Sequence, residues 1–239
     1  VIATARSATK LEDLKARGAH AVVLDVTWSD EDVKKTVDEA IGVHGRVDIL
    51  INNAGYSLVG TPEECSTEEI FSVFNTNVFG IYKMLRVVLP HMRAQKSGVI
   101  ANVGSIGGRR AFPANGVYCT TKFAVAGLSE SLRAEVAHLN IDVTCIDLGS
   151  FRTSFGNNQI EAKKSIPDAG PAVDQMKKYL VLRNGTQLGD PVKGAKVLVD
   201  ALTKTGKCAG KTLPVRLALG SDAAPFITAV LERDQKDLQ

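Results

Sequence analysis

The sequence predicts an α/β fold in which a doubly wound parallel sheet is covered by helices on both faces, giving three layers. Short apolar runs alternate along the chain with longer stretches of helical periodicity. Runs that are apolar throughout, without alternating polar residues, are typical of parallel strands buried on both faces. Strand–helix alternation with short connections favours right-handed βαβ units, and such units build a doubly wound sheet.

Six apolar runs are predicted to be strands: VIATA (1–5), AVVLDV (21–26), VDILINNA (47–54), GVIANV (98–103), IDVTCIDL (141–148) and LPVRLAL (213–219). Periodic stretches between them are predicted to be helices, at about 9–17, 29–43, 67–95, 116–139 and 190–204. Ser29 and Ser66 precede acidic residues, a pattern that favours helix N-termini. The least regular segment, 150–189, is expected to form a substrate-binding loop or lid.

The composition fits a single domain spanning residues 1–239. Of the 239 residues, 44% are hydrophobic and 23% are charged, and the net charge is only +3 with scattered Lys and Arg. This pattern argues against nucleic acid or an anionic membrane as a partner. The four cysteines and four histidines form no ligand-like cluster, so we expect reduced thiols and no metal site. Every apolar run is shorter than the roughly 18 residues of a membrane helix, and we expect a cytoplasmic protein without a membrane span.

Polar and small residues follow four of the predicted strands at one edge of the sheet. Asp25 ends one strand, NNAG (52–55) ends the next, Ser105 follows the third, and GSFRT (149–153) follows the fourth. Open α/β sheets bind ligands beyond the carboxyl ends of their strands. The sequence therefore predicts a ligand site at this edge.

Tyr118 and Lys122 lie four residues apart near the start of the helix predicted at 116–139, which places them on one face. An adjacent ammonium favours the phenolate, so we expect Lys122 to lower the pKa of Tyr118. Tyr118 could then give a proton to a carbonyl oxygen or take one from an alcohol, while Ser105 holds the reacting oxygen. Alone, such a tyrosine is more often a rim residue and such a lysine a solvated charge.

Four motifs in order and spacing resemble the short-chain dehydrogenase/reductase family: NNAG (52–55), NVFG (77–80), Ser105 thirteen residues before Tyr118, and Y-x-x-x-K (118–122). The resemblance covers nearly the whole chain. It implies a Rossmann-like NAD(P)-binding domain and an oxidoreductase that acts on CH–OH groups. It also implies that Asn77 is catalytic together with Ser105, Tyr118 and Lys122. Asn77 would hold a helix irregularity and a water of the proton relay, and Lys122 would contact the nicotinamide ribose.

The resemblance also assigns cofactor contacts, which are listed here in chain order beside Tyr118 and Lys122: Asp25, Val26, Asn53, Ala54, Gly55 and Thr153. Asp25 and Val26 match the adenine contact, and Asn53 to Gly55 border the adenosine, with Asn53 also bracing neighbouring strands. Thr153 matches the residue that holds the nicotinamide carboxamide. The less favoured alternative is that Asp25 is an ordinary turn or helix-capping aspartate.

Cofactor preference is predicted from the end of the first strand, where Thr4 and Ala5 are followed by Arg6. A family member that prefers NAD tends to carry a carboxylate there to bond the ribose 2′-hydroxyl. A guanidinium instead suits the 2′-phosphate of NADP. We therefore expect NADP(H) to be preferred and NAD(H) to be possible, although Arg6 could simply be an exposed residue before the next helix.

The sequence departs from the family at two places. The glycine-rich T-G-x-x-x-G-x-G turn is absent, since the first glycine is Gly18. We expect that turn, with its strand and helix, to lie ahead of Val1; a protein that truly began there would be expected to bind dinucleotides weakly or not at all. In the second departure, Leu148 stands where the family usually has proline, while Gly149 and Thr153 keep their places.

The segment 150–189 is rich in apolar residues, which suits an apolar ketone or aldehyde. The candidate substrate residues are Phe151, Phe155 and Tyr179, with Ile160, Val173, Met176, Leu180 and Leu182 beside them. The alternative is that these side chains only pack a helix onto the body. The resemblance further implies a homodimer or homotetramer formed through the helices at 67–95 and 116–139.

Two other functions remain open from the sequence. One is a non-catalytic, cofactor-sensing or cofactor-deficient protein of this fold, which the absent glycine-rich turn favours. The other is an epimerase, which NNAG (52–55) and the compact length disfavour.

Overall fold

A computed structural model describes the backbone of residues 1–239 and every side chain except those of 157 and 158. Its strands are β1 (Ile2–Ala5), β2 (His20–Val23), β3 (Ile49–Asn52), β4 (Leu58–Val59), β5 (Gly98–Val103), β6 (Ile141–Leu148), β7 (Ile160–Glu161) and β8 (Arg216–Leu219). Its α-helices are α1 (Glu12–Ala16), α2 (Asp30–Gly42), α3 (Thr67–Phe74), α4 (Gly80–Gln95), α5 (Gly116–Val136), α6 (Gly170–Arg183), α7 (Pro191–Leu202) and α8 (Ala223–Asp237).

The main sheet is parallel and has the strand order β3-β5-β6-β8. Each predicted strand is present: β5 and β6 have the predicted bounds, β1, β3 and β8 are shorter, and β2 begins one residue earlier and ends three earlier. The α/β parallel class is confirmed. One feature differs from the expectation of a single sheet: β1 and β2 pair in parallel with each other as a separate sheet. In the described backbone, neither of them hydrogen-bonds to β3.

Apolar side chains pack on both faces of the main sheet, as three layers require. On one face, β5 and β6 lie against α2, α4 and α5, represented by Val33, Val88 and Val125, each at most 2% exposed. On the other face, Ala101 and Ile146 pack against α7. The main sheet therefore lies between two hydrophobic cores, and its strands carry the predicted ligand site at their carboxyl ends.

Three regions differ in detail from the predicted elements. The helix expected over 67–95 is divided into α3, a π-helix at Asn75–Phe79 and α4. Helix α6 lies inside the supposedly irregular 150–189, where Met176 is its buried residue, so its sequence shows little apolar periodicity. The two-residue strands β4 and β7 pair in parallel and join this segment to the body.

Two further features of the molecule are the length and polarity of its helices and the state of its cysteines. Across the described residues, each helix is too short or too polar to cross a membrane. The four cysteines are free thiols, and Cys65, Cys119 and Cys145 are buried.

Candidate active site

Asn77 lies in the π-helix and is 1% exposed. Its Oδ1 accepts a hydrogen bond from the Tyr56 backbone N–H at 3.0 Å, and its Nδ2 donates to the Tyr56 carbonyl at 2.9 Å and to Thr121 Oγ1 at 3.1 Å. The amide therefore joins the segment after β3 to α5. The helix irregularity expected at Asn77 is confirmed, because the extra residue of a π-turn turns this side chain inward.

Ser105 is the first residue of the turn that follows β5. Its Oγ accepts a hydrogen bond from the Gly107 N–H at 3.0 Å and so caps the short helical turn 106–108. A Cβ added to Gly107 would lie 3.4 Å from Ser105 Oγ and 3.6 Å from Tyr118 Cε1. The serine hydroxyl and the tyrosine ring thus face the same side of this turn.

Tyr118 and Lys122 both lie buried on the first turns of α5, at 9% and 5% exposure. The Lys122 Nζ donates to the Val103 carbonyl at 2.7 Å and lies 5.5 Å from the centre of the Tyr118 ring. Burial raises the pKa of Tyr118 to about 12, opposed by its contact with Ser105. Burial also lowers the pKa of Lys122 to about 8. The expected lowering of the Tyr118 pKa is therefore wrong, because desolvation of the buried phenol is the largest cause of its shift and outweighs the contact with Ser105.

Gly55 brings the catalytic residues and the NNAG segment together. A Cβ there would lie 3.1 Å from Asn77 Oδ1 and 3.7 Å from Lys122 Nζ. The absence of a side chain at Gly55 thus lets the backbone of the NNAG segment lie directly against Asn77 and the buried ammonium of Lys122. Asn77, Ser105, Tyr118 and Lys122 are all brought to this one edge.

The bracing role expected of Asn53 belongs instead to Asn52. The Asn52 Nδ2 donates to Asn102 Oδ1 at 2.8 Å, and Asn102 Nδ2 donates to Ser129 Oγ at 2.9 Å, so a buried amide chain joins β3, β5 and α5. Asn53 and Ala54 are exposed. Neighbouring residues of a strand point to opposite faces of the sheet, which explains why Asn52 and not Asn53 reaches the buried side.

Three of the residues predicted to contact the adenosine end of the cofactor follow β1 and β2. Arg6 follows β1 and is exposed. Asp25 Oδ1 accepts from the Thr27 N–H at 2.9 Å and from Thr27 Oγ1 at 2.7 Å, which is the turn role left open from the sequence. Val26 packs against the start of α4, since a Cβ on Gly80 would lie 2.6 Å from its Cγ2. One face of the Val26 side chain is therefore covered by α4.

The loop after β6 is anchored by Asp222, a residue that the sequence analysis missed. Asp222 Oδ2 accepts from the Ser150 N–H at 2.9 Å, and a Cβ on Gly149 would lie 2.1 Å from Asp222 Oδ1. The glycine is thus required for this approach. Thr153 is exposed and accepts a hydrogen bond from the Phe155 N–H at 3.4 Å through its hydroxyl, while Leu148 stays within β6.

The predicted substrate residues separate into three environments. Phe155 lies with its ring centre 5.9 Å from that of Tyr118. Phe151 packs instead into the second core, where added Cβ atoms on Gly189 and Gly194 would meet its ring within 2.6 Å. These two glycines give the Phe151 ring room in the core, which favours the packing alternative, while its contact with a substrate stays a prediction. Tyr179 is 45% exposed and carries Arg183 over its ring.

Some of the other apolar lid residues hold α6 on the body, as the packing alternative stated. Val173, Met176 and Leu180 pack with Val59, Phe112 and Ala114. Two glutamates hold the chain before α6: Glu64 Oε1 accepts from the Ile166 N–H at 3.0 Å, and Glu69 Oε1 accepts from the Lys163 N–H at 3.0 Å. The sequence carried no signal for these two contacts, since each spans more than ninety residues.

Comparisons with known proteins find relatives over most of the chain. A family model described as short chain dehydrogenase matches residues 1–164. The chain is 35% identical over 215 residues to the uncharacterized oxidoreductase YusZ of Bacillus subtilis, covering 85% of this chain and 76% of that protein. It is 43% identical over 138 residues to a 3-ketodihydrosphingosine reductase of Bacteroides thetaiotaomicron, covering 58% of this chain and only 51% of that relative.

Solved structures share the fold. A short-chain dehydrogenase from Streptomyces avermitilis matches with a TM-score of 0.87 and 36% identity, over 100% of this chain and 86% of that one. A gluconate 5-dehydrogenase from Burkholderia cenocepacia, in complex with NADP and tartrate, matches with a TM-score of 0.60 and 27% identity, over 65% of this chain and 63% of that one.

Proposed function

The chain belongs to the short-chain dehydrogenase family, and from that premise we propose that it is an NADP(H)-dependent reductase of an apolar ketone or aldehyde. The observation that carries the proposal is the convergence of Ser105, Tyr118 and Lys122 at the edge where Gly55 lets the backbone approach closely. Bound nicotinamide would supply the hydride to the carbonyl carbon. The protein's own residues supply the proton and the orientation.

Tyr118 is the proton donor of the proposed reaction. Since burial raises its pKa to about 12, the phenol is protonated at neutral pH and ready to give its proton to a carbonyl oxygen. Lys122, with a pKa of about 8, is mostly charged at neutral pH and stabilises the phenolate that this transfer leaves. The Ser105 hydroxyl donates to the same oxygen and fixes its position. These protonation states are those that donation of a proton to a carbonyl oxygen requires.

NADP(H) is favoured over NAD(H) by Arg6. It follows β1, where its exposed guanidinium is available to a 2′-phosphate as a fork of donors. The gluconate 5-dehydrogenase of the same fold is described with NADP. Tyr118, Lys122, Gly55 and Thr153 would contact the nicotinamide half of the cofactor.

An apolar substrate is favoured by the ring of Phe155, which lies beside the proton donor at 5.9 Å. The relative from Bacteroides thetaiotaomicron is named for a ketone on a long-chain base, 3-ketodihydrosphingosine. A carbonyl next to an aliphatic chain would place its oxygen toward Ser105 and its chain against Phe155. Lid segment 150–189 would cover it.

The experiment that tests the proposal is NADPH oxidation by the purified full-length protein, screened against aliphatic and aromatic ketones. Tyr118→Phe should lower turnover by at least about 100-fold while NADPH binding, followed by fluorescence, is retained. Full activity of this variant would overturn the mechanism. NADPH binding without turnover by the unaltered protein would favour the non-catalytic alternative.

We also propose a dimer formed by a second copy of the chain through α4 and α5. A groove between these helices is lined by Tyr82, Leu85, Leu89, Leu128 and Leu132, with Arg86, Arg93 and Glu135 at its rim. Because the rim carries both charge signs, a two-fold axis can pair each patch with itself. Leu89→Glu should convert a dimer to a monomer in light scattering, whereas a monomeric unaltered chain would contradict the dimer.

A further inference from the structure

Asp147, on β6, is a fully buried carboxylate that lies between two arginines. Its Oδ2 accepts from Arg109 Nε at 2.8 Å and from Arg216 Nε at 3.1 Å, and its Oδ1 accepts from Arg216 Nη2 at 2.6 Å. The exposed fraction of its side chain is 0%. A carboxylate this deep is tolerated only when it is paired and hydrogen-bonded. The network of Arg109, Asp147 and Arg216 is therefore held in one geometry.

The network also binds the turn that carries Ser105. Arg216 Nη2 donates to the Gly108 carbonyl at 3.1 Å, and Arg109 is the residue that ends this turn. The turn itself is closed by the Gly108 N–H, which donates to the Ser105 carbonyl at 2.9 Å. Ser105 lies at its start, so the network and the hydroxyl are at opposite ends of one short rigid turn.

The opposite side of the turn is fixed by α5. A Cβ on Gly108 would lie 2.8 Å from the carbonyl oxygen of Lys122. The turn is thus confined between the backbone of α5 at Lys122 and the guanidinium of Arg216. Any displacement of Arg216 moves the turn relative to the helix that carries the proton donor and its lysine.

We propose that Asp147 is a positioning residue of the catalytic site: through Arg109 and Arg216 it sets the place of the Ser105 hydroxyl relative to Tyr118. The proposal rests on the proposed function. Removing the carboxylate charge leaves two guanidinium groups competing for one amide, so the turn loses its anchor. A misplacement of about 1 Å at a reacting centre costs on the order of 100-fold in rate.

The test compares Asp147→Asn with Asp142→Asn, a matched control on the same strand. Asp142 also pairs with cations, Lys204 at 2.8 Å and Arg133 at 3.8 Å, but at the other end of β6. Asp147→Asn should lower kcat by about 10- to 100-fold with the KM for NADPH changed less than about 2-fold. Asp142→Asn should leave both unchanged.

A double-mutant cycle identifies the route of the effect. In a Ser105→Ala background, Asp147→Asn should cause little further loss of kcat, because the residue acts through the serine. The proposal would be overturned if the loss of kcat in the double variant equalled the product of the two single-variant losses. It would also be overturned if kcat were unchanged in Asp147→Asn alone.

Hydrogen exchange gives a readout that does not need activity. Amide protection over 105–112 should fall in Asp147→Asn and stay unchanged in Asp142→Asn; equal protection in both would overturn the proposal. If Asp147→Asn does not fold, Arg216→Lys is the second variant, since it keeps the positive charge and removes the guanidinium fork. It should show the same loss of kcat and of amide protection, each to a smaller extent. An Arg216→Lys variant identical to the unaltered protein would overturn the proposal. An inactive unaltered chain would refute the proposed function alone, since the exchange result would still decide the positioning role.

Discussion

The ring of Phe155 lies over the edge of the site with its centre 5.9 Å from that of Tyr118 and a 52° angle between the two planes. Phe155 belongs to the segment after β6, whereas Tyr118 belongs to α5. The lid thus contributes a large apolar surface directly beside the proton donor. Tyr118 is buried partly by a segment that lies outside the sheet.

Phe155→Ala should raise the KM for an apolar ketone by about 10-fold, because roughly one aromatic contact surface is lost from the bound substrate. The KM for NADPH should change little. Leu182→Ala is the control, since Leu182 is in the same lid and 76% exposed. An unchanged KM in Phe155→Ala would show that the substrate lies elsewhere.

Lys122 should make the stability of the protein rise with pH relative to Lys122→Met. The folded pKa is about 8, below the 10.5 of an ordinary lysine, so the unfolded chain binds more protons between these values. At pH 7 the buried charge of Lys122 lowers the free energy of unfolding. This cost disappears as the pH rises from the folded pKa to the unfolded pKa. Urea unfolding should show a relative gain of about 2 kcal/mol between pH 7 and 10. The exposed Lys35→Met variant should follow the unaltered protein at every pH.

The same group should set an alkaline limit on carbonyl reduction. As Lys122 loses its charge above about pH 8, the phenolate left on Tyr118 loses its stabilising partner, and kcat/KM should fall. Profiles of kcat/KM against pH, measured with saturating NADPH, give this limit directly. Lys122→Arg keeps its charge and should lose the limit, though at lower activity. A profile that stays flat to pH 10 would contradict the assignment.

Arg6→Glu should reverse the proposed cofactor preference. The carboxylate repels a 2′-phosphate and can accept from a ribose hydroxyl. We expect the KM for NADPH to rise by at least about 10-fold, equivalent to the loss of one charge-assisted contact, while that for NADH falls or stays constant. Lys15→Glu makes the same charge change on the exposed helix α1, and its KM values should match those of the unaltered chain.

The sequence predicted those parts of the site that local geometry determines. Tyr118 and Lys122 share a face because a helix repeats every 3.6 residues, and Ser105 follows a strand whose apolar run was plain. The pKa direction of Tyr118 was not predictable, because burial depends on neighbours such as Phe155 from distant segments.

Long-range polar contacts were equally invisible to the sequence. Asp147 and Arg216 are 69 residues apart, and Asp222 reaches back 72 residues to Ser150. Helix α6 was not predicted from the sequence, because only a narrow face of it is buried. In each case the missing information was which segments the fold brings together, and neither propensity nor periodicity contains it.

The amide of Asn77 has a consequence for how the protein folds. It bonds Tyr56, 21 residues back, and Thr121, 44 residues ahead, so three segments must meet before the π-turn has all its partners. Such non-local closure comes late in folding, since its entropy is recovered only after the segments are in place. In denaturant, the π-turn should open while α4 and α5 still stand. Separation of any one of the three segments would leave a polar group of the buried Asn77 amide without its partner.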